Sequence, residues 1–237
     1  MANSERAFLS AVEEGDKETV SSYIRRYPEK WKTAKKGIGR ETCLHLERDA
    51  EMARYLVSAG ADMEARAISW NIPPFHSAAQ YGNREVMEVL IESGCNIHAE
   101  GPHGEALAYA SRKGHLGIVK RLIGLGLDVN HKSNKNGQTS LRWACWGNCA
   151  KIAEYLVSVG ADFEAVNGFG RTPFLEALYE GNERVMIILI VKGCNTYAKD
   201  YKNRGAIQIV DSRNHVTLKE KLVNIFSERE ESKDDIL

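Results

Sequence analysis

No stretch of this chain is both long and apolar enough to cross a bilayer. The longest apolar run, Val185 to Val191, falls far short of the roughly 20 residues that a spanning helix needs. A secretory leader is not expected either, because Met1-Ala-Asn-Ser-Glu-Arg is polar. An excess of one charge is also lacking: Lys and Arg number 32, Asp and Glu number 32, and the formal net charge is zero. With a pI near 7.1, no global field draws the chain to a membrane or a nucleic acid. Cysteine is scarce and odd in number, five in 237 residues, which argues against a disulfide framework.

Patterns that carry chemistry are missing as well. Gly124-Leu-Gly126 closes an apolar segment and Gly168-Phe-Gly170 falls in a loop. Neither follows a strand and opens a helix, as a phosphate-cradling turn must. Cys145 and Cys149 stand four apart, but no histidine or second cysteine pair flanks them, so no metal site is expected. Nucleophile, base and orienting group cannot be assembled at one place. No catalytic residue, metal or cofactor is assigned.

What the chain does have is a period. Five times an apolar patch ends in Gly, a small residue, usually Asp or Asn, and an extended tail. The markers are Gly60, Gly94, Gly126, Gly160 and Gly193, stepping by 34, 32, 34 and 33 residues. A period near 33 predicts a stack of small units, each burying its apolar face against its neighbours. Upstream of the markers a second signature recurs: Thr42-Cys-Leu-His45, Pro73-Pro-Phe-His76, Thr139-Ser-Leu-Arg142 and Thr172-Pro-Phe-Leu175, with a degraded Glu105-Ala-Leu-Ala108.

Local physics makes each unit a helix pair. Thr139 and Thr172 can cap a short first helix, and Pro173 suits its first position. In the second unit that helix spans Phe75 to Gln80 and ends at Gly82. A second helix then buries Val86, Met87, Val89, Leu90 and Ile91 and stops at Gly94 in a left-handed cap. Helices this short are marginal alone, so the stack itself is the core.

With both signatures at fixed spacing, nearly the whole chain resembles the ankyrin repeat family. The resemblance implies an all-α solenoid of about seven helix-turn-helix units, two of them polar end caps, and protein binding without catalysis. The expected divisions are a capping repeat and basic linker at 1–35, a shortened repeat at 36–66, repeats at 67–99, 100–132, 133–165 and 166–199, a capping repeat at 200–227, and a disordered acidic tail at 228–237. His45 and His76 fall in the family's histidine slot, where the imidazole ties loop backbone between units. Cys43, Cys95, Cys145 and Cys194 fill the pattern's Pro, small-residue or Ala slots and read as buried hydrophobes of a reducing, intracellular compartment, cytoplasmic or nuclear. Leu122-x5-Asp128-Val129-Asn130 resembles a sequence favoured by an asparaginyl hydroxylase that acts on ankyrin domains, which marks Asn130 for hydroxylation, although the same letters are the family consensus.

In such stacks the partner lies along the hairpin tips and the exposed edge of the inner helices, in a concave groove. Trp70, His103, Asn136 and Phe169 fill the tip slot, 33 residues apart each time. The inner-helix ends carry Gln80 and Tyr81, Arg112 and Lys113, Trp146, then Tyr179 and Glu180. An exposed aromatic row of Trp70, Tyr81, Trp146, Phe169 and Tyr179 around a basic centre of Arg112, Lys113 and Lys135 is expected to hold a partner protein. An extended peptide or a helix with apolar side chains and an acidic residue would suit it. The bland alternative is that neighbouring side chains or loops cover these rings. Neither a membrane nor a nucleic acid is an expected partner, and the chain is expected to be monomeric. The resemblance leaves adaptor, inhibitor and scaffold open. It also leaves a targeting or substrate-recruiting subunit of a larger complex, including a pathogen protein that engages host proteins.

Three departures stand out. Arg25, Arg26, Lys30, Lys32, Lys35, Lys36 and Arg40 form a basic stretch interleaved with Tyr27 and Trp31, either a contact for an acidic partner or a nucleic acid, or, as overall neutrality favours, a solvated linker between the cap and the first full unit with Trp31 packed over its edge. The first full unit is about three residues short between His45 and Met52, which predicts a notch or a local kink beside Trp70. The third carries Gly117 and Gly124 in its outer helix, each costing on the order of 1 kcal/mol relative to Ala, which makes that unit a weak joint.

Overall fold

The structure, a computed structural model, describes residues 2–35, 41–68, 70–134 and 136–234. Among the described residues there are fifteen helices and no strand. The helices come in packed pairs: α1 (Ala2–Glu14) with α2 (Lys17–Arg26), α4 (Cys43–Leu46) with α5 (Ala50–Ser58), α6 (Pro74–Tyr81) with α7 (Arg84–Glu92), and α8 (Ala106–Lys113) with α9 (Leu116–Gly124). The pairing continues with α10 (Ser140–Trp146) and α11 (Ala150–Ser158), α12 (Pro173–Glu180) and α13 (Glu183–Val191), then α14 (Ala206–Ser212) and α15 (Val216–Asp234). The short α3 (Lys30–Thr33) stands outside this pairing. The first members, α4, α6, α8, α10, α12 and α14, pack on one another in series and form the inner layer. The resulting architecture is an all-α solenoid.

Local chemistry explains the helix ends. All five marker glycines have positive φ, from 84° at Gly94 to 94° at Gly160, where a Cβ would be strained. Each lets the next residue's N–H reach back to the outer helix, as Ala61 N–H does to Leu56 O at 2.9 Å and Cys95 N–H to Leu90 O at 3.0 Å. These bonds satisfy helix-end carbonyls in a Schellman cap. At the other ends, Thr139 Oγ1 accepts the Arg142 N–H and Thr172 Oγ1 accepts the Leu175 N–H.

Two ladders join the units. In the first, the residue just before each outer helix bonds a carbonyl at the end of the preceding inner helix. Asn83 Nδ2 donates to Glu47 O, His115 Nε2 to Gln80 O, Asn182 Nδ2 to Cys145 O and His215 Nε2 to Tyr179 O. The middle rung is the weak one: Cys149 Sγ lies 3.5 Å from Arg112 O, and a thiol is a poor donor. A hollow of about 570 Å³ lined by Gly114, Cys149 and Gly181 opens beside it. In the second ladder, His45 Nε2 lies 2.8 Å from Ile72 O and His76 Nε2 lies 3.3 Å from Gly104 O. A carbonyl only accepts, so both histidines carry the proton on Nε2. These are the loop ties that the histidine slot implies.

Two features differ from expectation. Unit one is cut short as its sequence predicts, α4 having only four residues. The notch it leaves, about 380 Å³, is lined by Glu13, His45, Arg48, Tyr81 and Asn83 among others. It therefore lies beside Tyr81, at the missing end of the inner helix, and not beside Trp70 in the hairpin. At the C-terminus α15 runs on to Asp234, into the stretch from 228 expected to be a disordered tail. Its Glu, Arg and Lys residues are good helix formers and prolong a helix already anchored by buried Leu218 and Leu222. Near the N-terminus Trp31 is buried and packs edge-on against Phe8 at 6.2 Å, so it holds α3 to the cap. Arg25, Arg26 and Lys30 remain exposed, whereas Lys36 and Arg40 lie outside the described residues.

Candidate partner-binding face

The inner-helix side carries a small apolar cluster of its own, apart from the main core: Ile72, Ala108, Tyr109 and Trp143. Trp143 lies on α10 and donates its indole N–H to His103 O in the preceding hairpin at 3.0 Å. His103 lies tilted against Trp143 with centroids 4.4 Å apart, and Trp143 meets Trp146 edge-on at 5.6 Å. Arg112, reaching from α8, lays its guanidinium over Trp146 at 3.8 Å and lies 5.4 Å from Trp143. Partial burial there lowers the Arg112 pKa, since desolvation disfavours the charged form. One column of stacked groups thus runs from a hairpin to the end of an inner helix.

A second column stands further along the stack. Phe169 at its hairpin tip lies 5.1 Å from the Arg171 guanidinium, which covers Tyr179 at 3.8 Å. Arg213, just past α14, lies over the same Tyr179 ring at 4.3 Å and donates from Nε to Tyr179 O at 3.0 Å. Arginine over an aromatic face is favourable by about 0.5–1 kcal/mol when exposed and more when desolvated.

Between the columns lies a buried ionic triad. Glu176 on α12 is 1 % exposed and accepts from Arg142 Nη2 at 2.9 Å and Arg171 Nη1 at 3.1 Å. Both arginines are themselves more than nine-tenths buried. Arg142 sits where His45 and His76 sit in earlier units; its longer side chain reaches the next inner helix instead of the hairpin carbonyl. Asn167 Oδ1 in turn accepts the Phe169 and Arg171 N–H groups and shapes the tip.

The named positions distribute unevenly. Trp70, Tyr81, Trp146 and Phe169 are exposed, as their slots predict, and so are Lys113 and Asn136. Gln80, His103, Arg112 and Glu180 are half-buried. Tyr179, expected to face solvent, is half-buried because the two arginines sandwich it. Lys135 lies outside the described residues. The tips are tied through backbone: Gly168 N–H donates to Asn136 O at 3.0 Å and Tyr201 N–H to Phe169 O at 3.1 Å. Sequence reasoning missed Trp143, Arg142, Arg171, Arg213 and Glu176. The arginine in a histidine slot, with a glutamate one unit later, was the available signal.

Asn130 is engaged at both ends of its amide. Its Oδ1 accepts the Asp162 N–H at 2.8 Å and its Nδ2 donates to Gly160 O at 3.0 Å, tying two units together. The thiols are shielded: burial pushes Cys43 and Cys95 up to about 12 and raises Cys145 and Cys149 as well. On the outer helices, Ile187 and Val191 of α13 and Val223 of α15 are exposed, Val191 to 76 %.

Comparison with known proteins agrees with the helix-pair fold. The family model described as ankyrin repeats (3 copies) matches residues 75–167 and 107–200, together more than half of the chain. The chain is 33% identical over 131 residues to the ankyrin repeat and KH domain-containing protein mask-1 of Caenorhabditis elegans, covering 54% of this chain and 5% of that protein. It is 33% identical over 149 residues to the NF-kappa-B inhibitor alpha of Gallus gallus, 56% of this chain and 45% of that one. It is also 24% identical over 212 residues to the palmitoyltransferase AKR1 of Lachancea kluyveri, 86% of this chain and 29% of that one. The chain thus spans less than half the length of each of these relatives.

Proposed function

The chain belongs to the ankyrin-repeat family, and from that premise we propose that it binds a partner protein, without catalysis, through the concave inner-helix face. The family is an interaction module, and the coarse function follows from it. The finer reading rests on one observation: two aromatic–arginine columns, His103–Trp143–Trp146–Arg112 and Phe169–Arg171–Tyr179–Arg213, stand side by side on that face. Large aromatics and arginines dominate binding hot spots because they offer wide contact with little conformational freedom to lose. The partner is an extended segment or helix with apolar side chains for the rings and acidic groups for the arginines. Among the relatives, an inhibitor and a KH domain-containing protein match over similar lengths, which supports adaptor or inhibitor use. The transferase name belongs to a protein of which this chain matches 29%, and no catalytic step is proposed here.

Affinity capture with wild-type protein and with a folded Trp70/Trp146/Phe169→Ala variant tests the reading. Proteins retained by the wild type and lost with the variant are the expected result. A partner captured equally by both would move the site to the Ile187–Val191 surface or the basic α2–α3 segment, where a targeting role would begin.

A further inference from the structure

Two Asn–Gly dipeptides stand in neighbouring hairpins, Asn136–Gly137 and Asn167–Gly168. In such a pair the glycine nitrogen, uncrowded by a Cβ, can attack the side-chain carbonyl of the asparagine before it. A bond forms from that nitrogen to Cγ, the bond from Cγ to Nδ2 breaks, and ammonia leaves with the nitrogen's proton. Water then opens the cyclic imide at either carbonyl to give aspartate or isoaspartate. Water is the sole co-reactant, and nothing is oxidised or reduced. The step needs an amide free to turn toward the next nitrogen, and water to carry the proton.

The fold separates the two dipeptides. Asn167 is 4 % exposed, and its Oδ1 is held by the Phe169 N–H at 2.8 Å and the Arg171 N–H at 3.1 Å. Its glycine is covered too: Gly168 N–H donates to Asn136 O at 3.0 Å, and a Cβ built there would lie 3.6 Å from the same oxygen. Asn136, in contrast, is exposed at its hairpin tip, and its side-chain amide has no hydrogen-bond partner among the described residues. Nothing lies within 4 Å of a Cβ built on Gly137. The remaining restraint is the bond from Gly137 N–H to Ser133 O at 3.0 Å. It lies within one hairpin and opens with local fluctuation of an exposed tip. We infer that Asn136 is a site of spontaneous deamidation and that Asn167, in the same dipeptide, is shielded from it.

Conversion changes the tip in two ways. It adds a carboxylate to the hairpin that lies between those of His103 and Phe169. Isoaspartate also reroutes the main chain through Cβ, at the residue whose carbonyl accepts the Gly168 N–H, so that tie between hairpins loses its geometry. The added charge opposes an acidic partner; this consequence rests on the concave-face reading, and the modification itself does not.

The test ages the full chain in mildly alkaline buffer, native and in guanidinium, and follows both sites by tryptic mass mapping, since Arg142 and Lys151 separate them. In the folded chain Asn136 should convert at least about tenfold faster than Asn167, whereas unfolding should bring the two rates together. The Asn136 peptide should split into aspartate and isoaspartate forms, and Asn136→Gln should stay unconverted. Gly168 N–H should exchange faster in the isoaspartate form than in Asn136→Asp, which adds the charge without rerouting the chain; equal exchange would refute the loss of the tie. Equal rates in the folded chain, a faster Asn167, or no conversion at Asn136 would overturn the inference. Partner binding indifferent to Asn136→Asp would count against the concave-face reading and leave the modification standing.

Discussion

Removing Glu176 tests whether the ionic triad is what orders the candidate face. Glu176, Arg142 and Arg171 are 1 %, 7 % and 8 % exposed, so Glu176→Ala strands two guanidinium groups in a site that water scarcely reaches. Breaking a buried pair from one side costs about 3–5 kcal/mol, because the remaining charge stays uncompensated. In a chain of this size about 1 kcal/mol moves the melting temperature by about 2–4 °C, so a fall of about 6–20 °C is expected by circular dichroism. Nearest-neighbour coupling confines the loss to adjoining units, so amide exchange should quicken in α10 and α12 while α6 and α7 keep their protection. Replacing all three residues by Met should bring stability back close to wild type or above it, since Arg142 Nε and Arg171 Nε have no hydrogen-bond partner among the described residues and the triad is incompletely satisfied there. Glu176→Ala within about 0.5 kcal/mol of wild type would refute the reasoning, as would a triple Met variant weaker than the single one.

Other perturbations have defined outcomes. Cys149→Asn replaces the one thiol rung of the inter-unit ladder by the amide used at Asn83 and Asn182; a gain of about 0.5–1.5 kcal/mol in urea unfolding is expected, and a loss would contradict the ladder. Gly117 has no atom within 4 Å of a built Cβ, so Gly117→Ala should stabilise by up to about 1 kcal/mol. In wild type, amides of α9 should exchange faster than those of α7 and α11; equal protection would sink the weak-joint expectation. Burial holds His76 down at about 4, below its unfolded value near 6.5. The unfolded chain therefore takes up a proton that the folded chain refuses, and this contribution is intact above pH 6.5. It is lost as pH falls from about 6.5 to 4, by about 3 kcal/mol in all, and His76→Gln should flatten that part of the pH–stability curve.

The fold was legible because it is written five times. Marker glycines, capping threonines and apolar slots recur at one period, and each repetition removes an alternative for the others. Exposed rings were legible one by one, Trp70 and Phe169 from the tip slot and Trp146 from the inner-helix slot, but neither slot faces solvent in every unit, for His103, Gln80 and Tyr179 are half-buried. Contacts that join unlike slots in neighbouring units were not legible, because the repeat alignment compares like with like. Arg142 crosses to Glu176 on the next inner helix, and Arg213 folds back over Tyr179 from the cap. The same blindness placed the unit-one notch at a hairpin instead of at the missing helix end beside Tyr81.

The most direct test of the concave-face claim is site-specific photocrosslinking in cells, with benzoylphenylalanine in place of Phe169 in one protein and of Ile187 in another. Phe169 stands on the inner-helix side and Ile187 on the outer, and both are exposed. The account predicts a discrete protein adduct from position 169, suppressed by Trp146→Ala, and none from position 187. An adduct from 187 alone would contradict it and place the partner on the outer helices.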